Sequence, residues 1–285
     1  MGIAKASDGD ARPLRSDPRL RTNGRSRRRR ALLTICSLLM TAAIATPAVA
    51  AVRRPPANAT WQYQLQGAID VDYPAKVFDI DGLTTPASTV ARLHRAGRYV
   101  VCYISAGSYE NWRSDAKRFP AAVLGKRNGW PGERWLDIRR LAVLAPIMRA
   151  RMDVCKAKGF DAVEPDNVDG YTNSTGFPLS AADQLAYNRF LAGAAHARGL
   201  AVGLKNDLEQ VRVLARRFDF AVVEQCFEFG ECGRLAPFRR VRKPVFDVEY
   251  RGARASFCPR AARLGINALL KRVDLRAPAW QCPSR

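Results

Sequence analysis

Residues 159–171 read GFDAVEPDNVDGY, a short apolar run that ends in carboxylates and then in a glycine turn. The pattern predicts a buried strand that delivers acidic side chains to its carboxyl end. Because Pro165 has no backbone N–H and does not fit the paired part of a central strand, we expect the ladder to end near Glu164 and Asp166 to project from the rim. Acids presented in this way are what an active site needs.

The same pattern recurs, so several strands are predicted to end on one polar face. VFDIDG begins at Val77, FAVVEQ at Phe220 and VFDVEY at Val245. Apolar strands separated by amphipathic helices indicate a parallel sheet that is covered on its outer face. Eight such runs in about 225 residues match a single α/β domain, a TIM-like (β/α)₈ barrel with catalytic residues at the carboxyl ends of its strands. A doubly wound open sheet is the alternative, but no glycine-rich phosphate loop follows the first strand.

The predicted elements alternate along the chain. The strands are Trp61–Leu65, Val77–Ile80, Tyr99–Ile104, Phe160–Glu164, Ala201–Leu204, Phe220–Glu224, Val245–Val248 and Ile266–Leu270. The helices are Thr89–Ala96, Leu141–Lys158, Ser180–Arg198 and Gln210–Arg217. A glycine or an aromatic residue follows each helix and leads into the next strand, which is a common way for a helix to end.

The first fifty residues predict a secretory signal peptide. The basic run RSRRRR at residues 25–30 precedes an uncharged run that reaches Ala-Val-Ala at residues 48–50. An uncleaved membrane anchor is the alternative, since the uncharged run is almost long enough to span a bilayer. We therefore assign residues 1–50 to the signal peptide, 51–60 to a linker and 61–285 to the barrel, and we expect a secreted, extracellular protein without stable membrane association after cleavage.

Six cysteines follow the signal: Cys102, Cys155, Cys226, Cys232, Cys258 and Cys282. An even number in an exported chain implies up to three disulfides, whose connectivity the sequence leaves open. A disulfide between Cys226 and Cys232 would close a loop, and one between Cys258 and Cys282 would fix the carboxyl terminus. Cys102 and Cys155 would then form the remaining pair. The cysteine and histidine spacings of a structural zinc site are absent, and we expect neither a metal nor a cofactor.

The chain is strongly basic, with a formal net charge of +21. The first fifty residues hold ten Lys or Arg and three acids, so +14 remains after signal cleavage. The arginines are scattered along predicted helices without a nucleic-acid-binding motif. A solvated basic exterior is therefore predicted, not a nucleic-acid partner.

Eight carboxylates fall at or just beyond predicted strand ends: Asp79, Asp81, Asp166, Asp169, Asp207, Glu224, Asp247 and Glu249. Two carboxylates that flank a sugar are sufficient for glycoside hydrolysis. Any single one of these acids has the alternative of capping a helix or pairing with an arginine. Asp166 and Glu224 form the leading pair, because both close very apolar runs where a carboxyl pKa can be raised.

Other residues at the predicted rim suit carbohydrate binding. Tyr103 and Tyr171 adjoin polar segments and offer flat faces to sugar rings. Lys205 and Asn206 close a strand, where the lysine can bind a hydroxyl or pair with an acid; a Schiff-base role is disfavoured because neighbouring acids do not depress a lysine pKa. The sequence DIDG at 79–82 also resembles the nucleophile motif of aspartate-dependent phosphatases, but the hydroxyl residue expected after the glycine is a leucine.

Six ordered motifs resemble the endo-α-1,4-polygalactosaminidases, glycoside hydrolase family 114. They are WQYQL at 61–65, FDIDG at 78–82, CYISAGS at 102–108 followed by Glu110 and Trp112-Arg113, WLDIR at 135–139, GFD to DN between 159 and 167, and GLKN at 203–206 followed by EQC at 224–226. The resemblance covers about residues 61–250. It implies a secreted TIM-like barrel that cleaves internal α-1,4 linkages of galactosamine-containing polysaccharide with retention of configuration.

The resemblance also implies roles for individual residues. Asp166 matches the family's nucleophile and Glu224 its general acid/base, and retention requires the two carboxyl groups to stand about 5–5.5 Å apart. The implied cleft residues are Asp79, Asp81, Tyr103, Lys205 and Asn206, to which the strand-end argument adds Asp169, Tyr171, Asp247 and Glu249. Because a partly deacetylated galactosamine polymer is cationic, we expect an acidic groove in the basic shell. The competing hypothesis is a barrel that binds carbohydrate without cleaving it.

Overall fold

Eight parallel strands and one antiparallel strand form the main sheet of the computed structural model, which describes residues 52–283. The strands are β1 (Trp61–Gln64), β2 (Val77–Asp81), β3 (Tyr99–Ser105), β4 (Ser108–Glu110), β5 (Leu124–Arg127), β6 (Glu133–Leu136), β7 (Ala162–Asp166), β8 (Ala201–Lys205), β9 (Phe220–Glu224), β10 (Val245–Glu249), β11 (Asn267–Lys271) and β12 (Ala279–Gln281). The helices are α1 (Ala87–Arg95), α2 (Leu141–Ala157), α3 (Ala181–His196), α4 (Val211–Leu214), α5 (Ala236–Arg240) and α6 (Arg254–Leu264). The main sheet has the order β1-β2-β3-β7-β8-β9-β10-β11-β12.

The antiparallel strand β12 closes the barrel between its last and first parallel strands. It pairs with β11 along its backbone. Towards β1 the contact is made by one side chain: the Gln281 carboxamide accepts the Trp61 N–H at 3.1 Å and donates to the Trp61 carbonyl. The predicted TIM-like barrel is therefore confirmed, with a ninth strand that the sequence patterns did not indicate.

Two apolar clusters separate the inside of the barrel from the layer under the helices. The inner cluster takes one or more residues from each of the eight parallel strands and none from a helix, whereas the outer cluster joins the alternate strand residues to the helices. Because side chains alternate along a strand, the inward positions continue in polar residues towards the carboxyl ends. On β7 these inward residues are Ala162, Glu164 and Asp166. The barrel interior is thus apolar at one end and polar at the other.

Pro165 does not end its strand, so this expectation was wrong. Pairing between β7 and β3 continues through Pro165 to Asp166, which lies opposite Ser105. Pairing between β7 and β8, in contrast, ends at Val163. The missing N–H of Pro165 therefore falls where the sheet has no partner on the β8 side, and the strand tolerates it.

A small three-stranded antiparallel sheet, with the order β4-β6-β5, is inserted between β3 and α2. The sequence patterns of this segment predicted no strands. Its loops carry Trp112 and Trp130, which are 51% and 52% exposed. The insertion follows the carboxyl end of β3 and therefore lies at the end of the barrel where active sites form.

The structure contains three disulfides, which pair Cys102 with Cys155, Cys226 with Cys232 and Cys258 with Cys282. The first links β3 to α2, the second closes the loop after β9, and the third ties α6 to the residue after β12. These are the three pairs that the sequence analysis considered.

The predicted linker packs against the amino-terminal end of the barrel from residue 52 onwards. The Arg53 guanidinium lies 2.5 Å from an Asp161 oxygen, and that of Arg54 lies 3.4 Å from an Asp219 oxygen. The predicted signal peptide lies outside the described residues. Among residues 52–283, no helix combines the length and the apolar character needed to cross a membrane.

Candidate active site

A cleft of about 450 Å³ opens at the carboxyl ends of the barrel strands. Asp166 from β7, Lys205 from β8 and Glu224 from β9 lie together in it. The predicted residues Asp81, Tyr103, Asp169 and Asn206 also line the cleft. Seven of the eleven predicted site residues, the two proposed catalytic carboxylates among them, are therefore brought together by the fold.

Four donors converge on the Asp166 carboxylate. The Tyr103 hydroxyl donates to Oδ2 at 2.8 Å, and the Lys205 ammonium donates to Oδ1 at 3.0 Å. The backbone N–H of Asn167 donates to Oδ1 at 2.7 Å, and its carboxamide donates to Oδ2 at 3.3 Å. Both oxygens have fixed positions, and the carboxylate acts as an acceptor only.

Lys205 is the centre of the site, although its side chain is almost completely buried. Its ammonium lies 3.0 Å from the Tyr63 hydroxyl, 3.0 Å from Asp166, 3.4 Å from Glu224 and 3.6 Å from Glu164. Burial alone lowers the pKa of this lysine, but the negative charges of Asp166 and Glu224 outweigh burial and hold the pKa well above its usual range. Lys205 therefore remains an ammonium, which a Schiff-base nucleophile cannot be.

Glu224 is held from two sides and remains partly open to the cleft. The Tyr250 hydroxyl donates to Oε1, and the Asn206 carboxamide donates to Oε2 at 3.3 Å. The same Asn206 accepts the backbone N–H of Glu224 at 3.0 Å. The side chain is 28% exposed, compared with 17% for Asp166, so both carboxyl groups can be reached from the cleft.

The residues that directly follow β7, β8 and β9 share one backbone conformation. Asn167, Asn206 and Gln225 have positive φ angles of 61°, 48° and 58°. Non-glycine residues rarely adopt this region, and asparagine tolerates it best. The chain therefore turns away immediately after each strand and leaves the last strand residue at the rim. A carboxamide residue after each functional residue was a signal that the sequence already contained.

The cleft is acidic, although the protein is basic. Seven carboxylates and two cationic side chains line it. Burial, followed by the negative charge of Asp166, raises the pKa of Asp169 to about 6. The lining of the cleft therefore carries an excess of acidic side chains, although the chain as a whole is basic.

Comparison with known proteins decides the family of this barrel. The sequence model of glycoside-hydrolase family GH114 matches residues 42–285. The chain belongs to family GH114. The crystal structure of Aspergillus fumigatus Ega3 in complex with galactosamine is 38% identical in sequence, superposes with a TM-score of 0.78 and covers 81% of this chain and 98% of its own.

Two further proteins are less similar to this GH114 chain. The glycoside hydrolase domain of PelA from Pseudomonas aeruginosa is 13% identical, has a TM-score of 0.61 and covers 77% of this chain and 97% of its own, so it shares the fold. A Deinococcus radiodurans protein described as uncharacterised is 29% identical over 221 residues, which are 70% of this chain and 71% of the relative. Membership of GH114 confirms the predicted glycoside hydrolase and removes the phosphatase alternative.

Asp247 and Glu249 do not line the cleft, contrary to the cleft positions expected for them. Both are buried in the outer layer, where Asp247 accepts the N–H of Cys226 at 3.2 Å and Glu249 accepts that of Phe227 at 2.7 Å. The inward positions of β10 are the alternate ones, and they lead to Tyr250, which reaches Glu224. The two acids therefore hold the loop after β9, and the strand-end argument failed because it ignored which residues face inwards.

Two more predicted residues lie outside the cleft lining. Asp79 is buried below it in the barrel interior, and Tyr171 is half-buried with its hydroxyl facing Asp207. Asp81 does line the cleft, but it accepts from Arg113 and Thr84. Burial acts to raise the pKa of Asp81, and the hydrogen bond and charge of Arg113 outweigh it, so the pKa lies below its usual range.

Gly107 shapes the site by close packing against the residue after the nucleophile candidate. Its N–H donates to the Asp166 carbonyl at 3.0 Å, and a Cβ at this position would lie 1.6 Å from the Asn167 carbonyl oxygen. We expect Gly107→Ala to displace Asn167, to lower Tm by roughly 10 °C and to lower kcat on the order of 100-fold.

Gly233→Ala is the matched control, because a Cβ there meets no atom of the described residues within 4 Å. Thermal unfolding and steady-state kinetics of both variants measure the difference. Equal behaviour of the two variants would show that Gly107 is not needed for this close approach.

Proposed function

We propose that this GH114 protein is a secreted endo-acting hydrolase of α-1,4-linked galactosamine-containing polysaccharide and works by a retaining mechanism. Asp166 is the nucleophile and Glu224 the general acid/base. The observation that carries the proposal is the position of one atom, Lys205 Nζ, between the two carboxyl groups. It lies 3.0 Å from an Asp166 oxygen and 3.4 Å from a Glu224 oxygen.

These two distances limit the separation of the carboxyl groups. The two oxygens that contact Lys205, one from each carboxyl group, are at most about 6.4 Å apart, because both lie close to the same nitrogen atom. In retaining enzymes the carboxyl groups stand about 5–5.5 Å apart, whereas in inverting enzymes they stand about 6.5–9.5 Å apart so that a water molecule fits between carboxylate and sugar. The bound on these two oxygens is consistent with retention.

The contacts of each carboxyl group suit its proposed step. In the first step an Asp166 oxygen forms a bond to the anomeric carbon, while the bond to the leaving oxygen breaks and Glu224 gives that oxygen its proton. In the second step Glu224 takes a proton from water, the water oxygen bonds to the anomeric carbon, and the bond to Asp166 breaks. Tyr103 and Asn167 orient the nucleophile, and Tyr250 and Asn206 orient Glu224.

The substrate class is supported by a relative and by the electrostatics of the cleft. Ega3, at 38% identity, was crystallised with galactosamine. The seven carboxylates of the cleft suit a polymer that carries ammonium groups, since a negative cleft raises the local concentration of cations. Secretion is supported by the signal-like first fifty residues and by three disulfides, which persist in oxidising compartments.

Release of reducing ends from α-1,4-galactosamine polymer tests the proposal directly. We expect the purified protein to produce oligosaccharides, with the anomeric configuration of the first product retained in NMR spectra. Binding of the polymer without cleavage supports the alternative of a carbohydrate-binding barrel. Inversion of configuration would contradict the assignment of Asp166 as nucleophile.

Trp112 and Trp130 extend the cleft beyond the catalytic pair. Both indoles are about half exposed, and both line the cleft together with Asp81 and Glu110. The sequence analysis did not consider Trp130, because it lies in a glycine-rich loop and not at a strand end. We propose that these rings stack on sugar units of the polymer at one end of the cleft.

Trp130→Ala is expected to raise KM for the polymer about tenfold, equivalent to about 1.4 kcal/mol, with little change in kcat. The ring belongs to a loop of the inserted sheet and not to a barrel strand, so we expect it to contribute equally to substrate and transition-state binding. Trp280→Ala is the control, since Trp280 is 38% exposed but does not line the cleft. An unchanged KM for Trp130→Ala, measured on long polymer, would show that Trp130 does not contribute to substrate binding.

A further inference from the structure

Two carboxyl groups lie in the barrel interior below the catalytic pair and have no assigned role. Asp79 on β2 is 1% exposed, and Glu164 on β7 is completely buried. Within residues 52–283, none of their four oxygens has a hydrogen-bond donor. Among the described cationic side chains, only that of Lys205 lies within 4 Å of either carboxyl group, 3.6 Å from a Glu164 oxygen.

Asp79 and Glu164 lie within hydrogen-bonding reach of each other. Two carboxylates without other donors cannot be buried side by side, because each is an acceptor only and each charge is costly to desolvate. A proton on one of them supplies an O–H donor to the other. Burial raises the pKa of Asp79 well above its usual range and also raises the pKa of Glu164, to about 7. The Lys205 ammonium lies 3.6 Å from Glu164, so the negative charge belongs on Glu164 and the proton on Asp79.

We propose that Asp79 and Glu164 share one proton and that Glu164 is a positioning residue, whose charge holds the Lys205 ammonium between the two catalytic carboxyl groups. The inference rests on the proposed function, since it assumes that Asp166 and Glu224 react. Other groups that face the pair are few: Tyr63 from β1, and Asp166 and Glu224 above Lys205.

The position of the Lys205 ammonium depends on the acceptors that compete for its hydrogens. Its ammonium has three hydrogens, and it has the Tyr63 hydroxyl and three carboxyl groups as neighbours. Without the charge of Glu164 below it, the ammonium shifts towards Glu224, which is 3.4 Å away, because it already contacts Asp166 at 3.0 Å. It then pairs more closely with Glu224 and displaces the two catalytic groups relative to each other. Displacements at such a centre lower the rate on the order of 100-fold.

Two variants that differ by a single charge test this role. Asp79→Asn keeps the hydrogen bond, because its amide donates to Glu164 as the protonated Asp79 does. The double variant Asp79→Asn/Glu164→Gln also keeps a donor and an acceptor at the pair but has no charge. We expect kcat of the double variant to lie on the order of 100-fold below that of Asp79→Asn, with similar KM and with Tm values within a few degrees.

Equal kcat values for the two variants would overturn the positioning role, because packing and hydrogen bonding are matched. The shared proton has its own readout, the infrared C=O band of protonated carboxyl groups at pH 8. We expect wild type to contain one such band that Asp79→Asn lacks, and identical spectra would overturn the shared proton. If wild type does not cleave the polymer, the proposed function fails, while the infrared measurement still decides whether the pair holds a proton.

Discussion

Asp166→Asn is expected to abolish cleavage of the polymer, with kcat lowered by at least about 10⁴-fold. An amide oxygen does not form the bond to the anomeric carbon that the carboxylate forms, so the first chemical step stops. The fold should not change, because asparagine has the same shape: its Oδ1 still accepts from the Asn167 N–H and from Lys205, and its NH2 group donates to the Tyr103 hydroxyl, which can accept as well as donate. Reducing-end release measures the loss, and thermal unfolding checks the fold.

A substrate with an activated leaving group distinguishes the role of the nucleophile from the role of the general acid. An aryl galactosaminide with an acidic phenol as leaving group needs no proton, but it still needs a nucleophile. We expect Asp166→Asn to stay inactive on this substrate as well. If the variant cleaves it at a rate near that of wild type, Asp166 is not the nucleophile.

Glu224→Gln is expected to lower kcat on the polymer by about 10²–10⁴-fold, the usual contribution of general acid–base catalysis. On the aryl substrate the first step should recover by at least about 100-fold, because the phenolate leaves without protonation. The burst of phenolate in stopped-flow measurements reports this step, and the slow phase that follows reports hydrolysis without a general base.

Glu228→Gln is the matched control for Glu224→Gln. Glu228 lies in the loop that follows β9 and accepts from Gln225, but it does not line the cleft. Its replacement removes the same charge and should leave both steps close to wild type. Equal loss on both substrates for Glu224→Gln would argue that this residue orients the site and does not transfer the proton.

The sequence predicted the strands well, because most of them are short runs rich in apolar residues and bounded by turn residues. All eight predicted strands correspond to barrel strands, and β9 has the predicted limits, Phe220–Glu224. The inserted sheet escaped prediction, since its strands are three or four residues long and all three carry charged residues, such as Glu110, Arg127 and Glu133. Short strands with polar residues give no periodic signal.

The proposed site was only partly predictable for a related reason. In a strand that is buried on both faces, apolar residues occupy the inward and the outward positions alike, so the sequence does not say which set faces the barrel interior. Asp247 and Glu249 were expected in the cleft and face the outer layer, while their neighbour Tyr250 reaches Glu224. A shift of one residue decides between a catalytic environment and a structural one.

The sequence by itself determined the barrel, the family and the acids at the ends of the strands, because these follow from local runs and ordered motifs. The tertiary structure alone decided which side chains meet. Lys205 gathers Asp166 and Glu224 at distances of 3.0 Å and 3.4 Å, although these residues come from three different strands. It also placed the Asp79–Glu164 pair below them. Such contacts depend on the register and the inward alternation of neighbouring strands, which the closed barrel fixes and the local sequence does not.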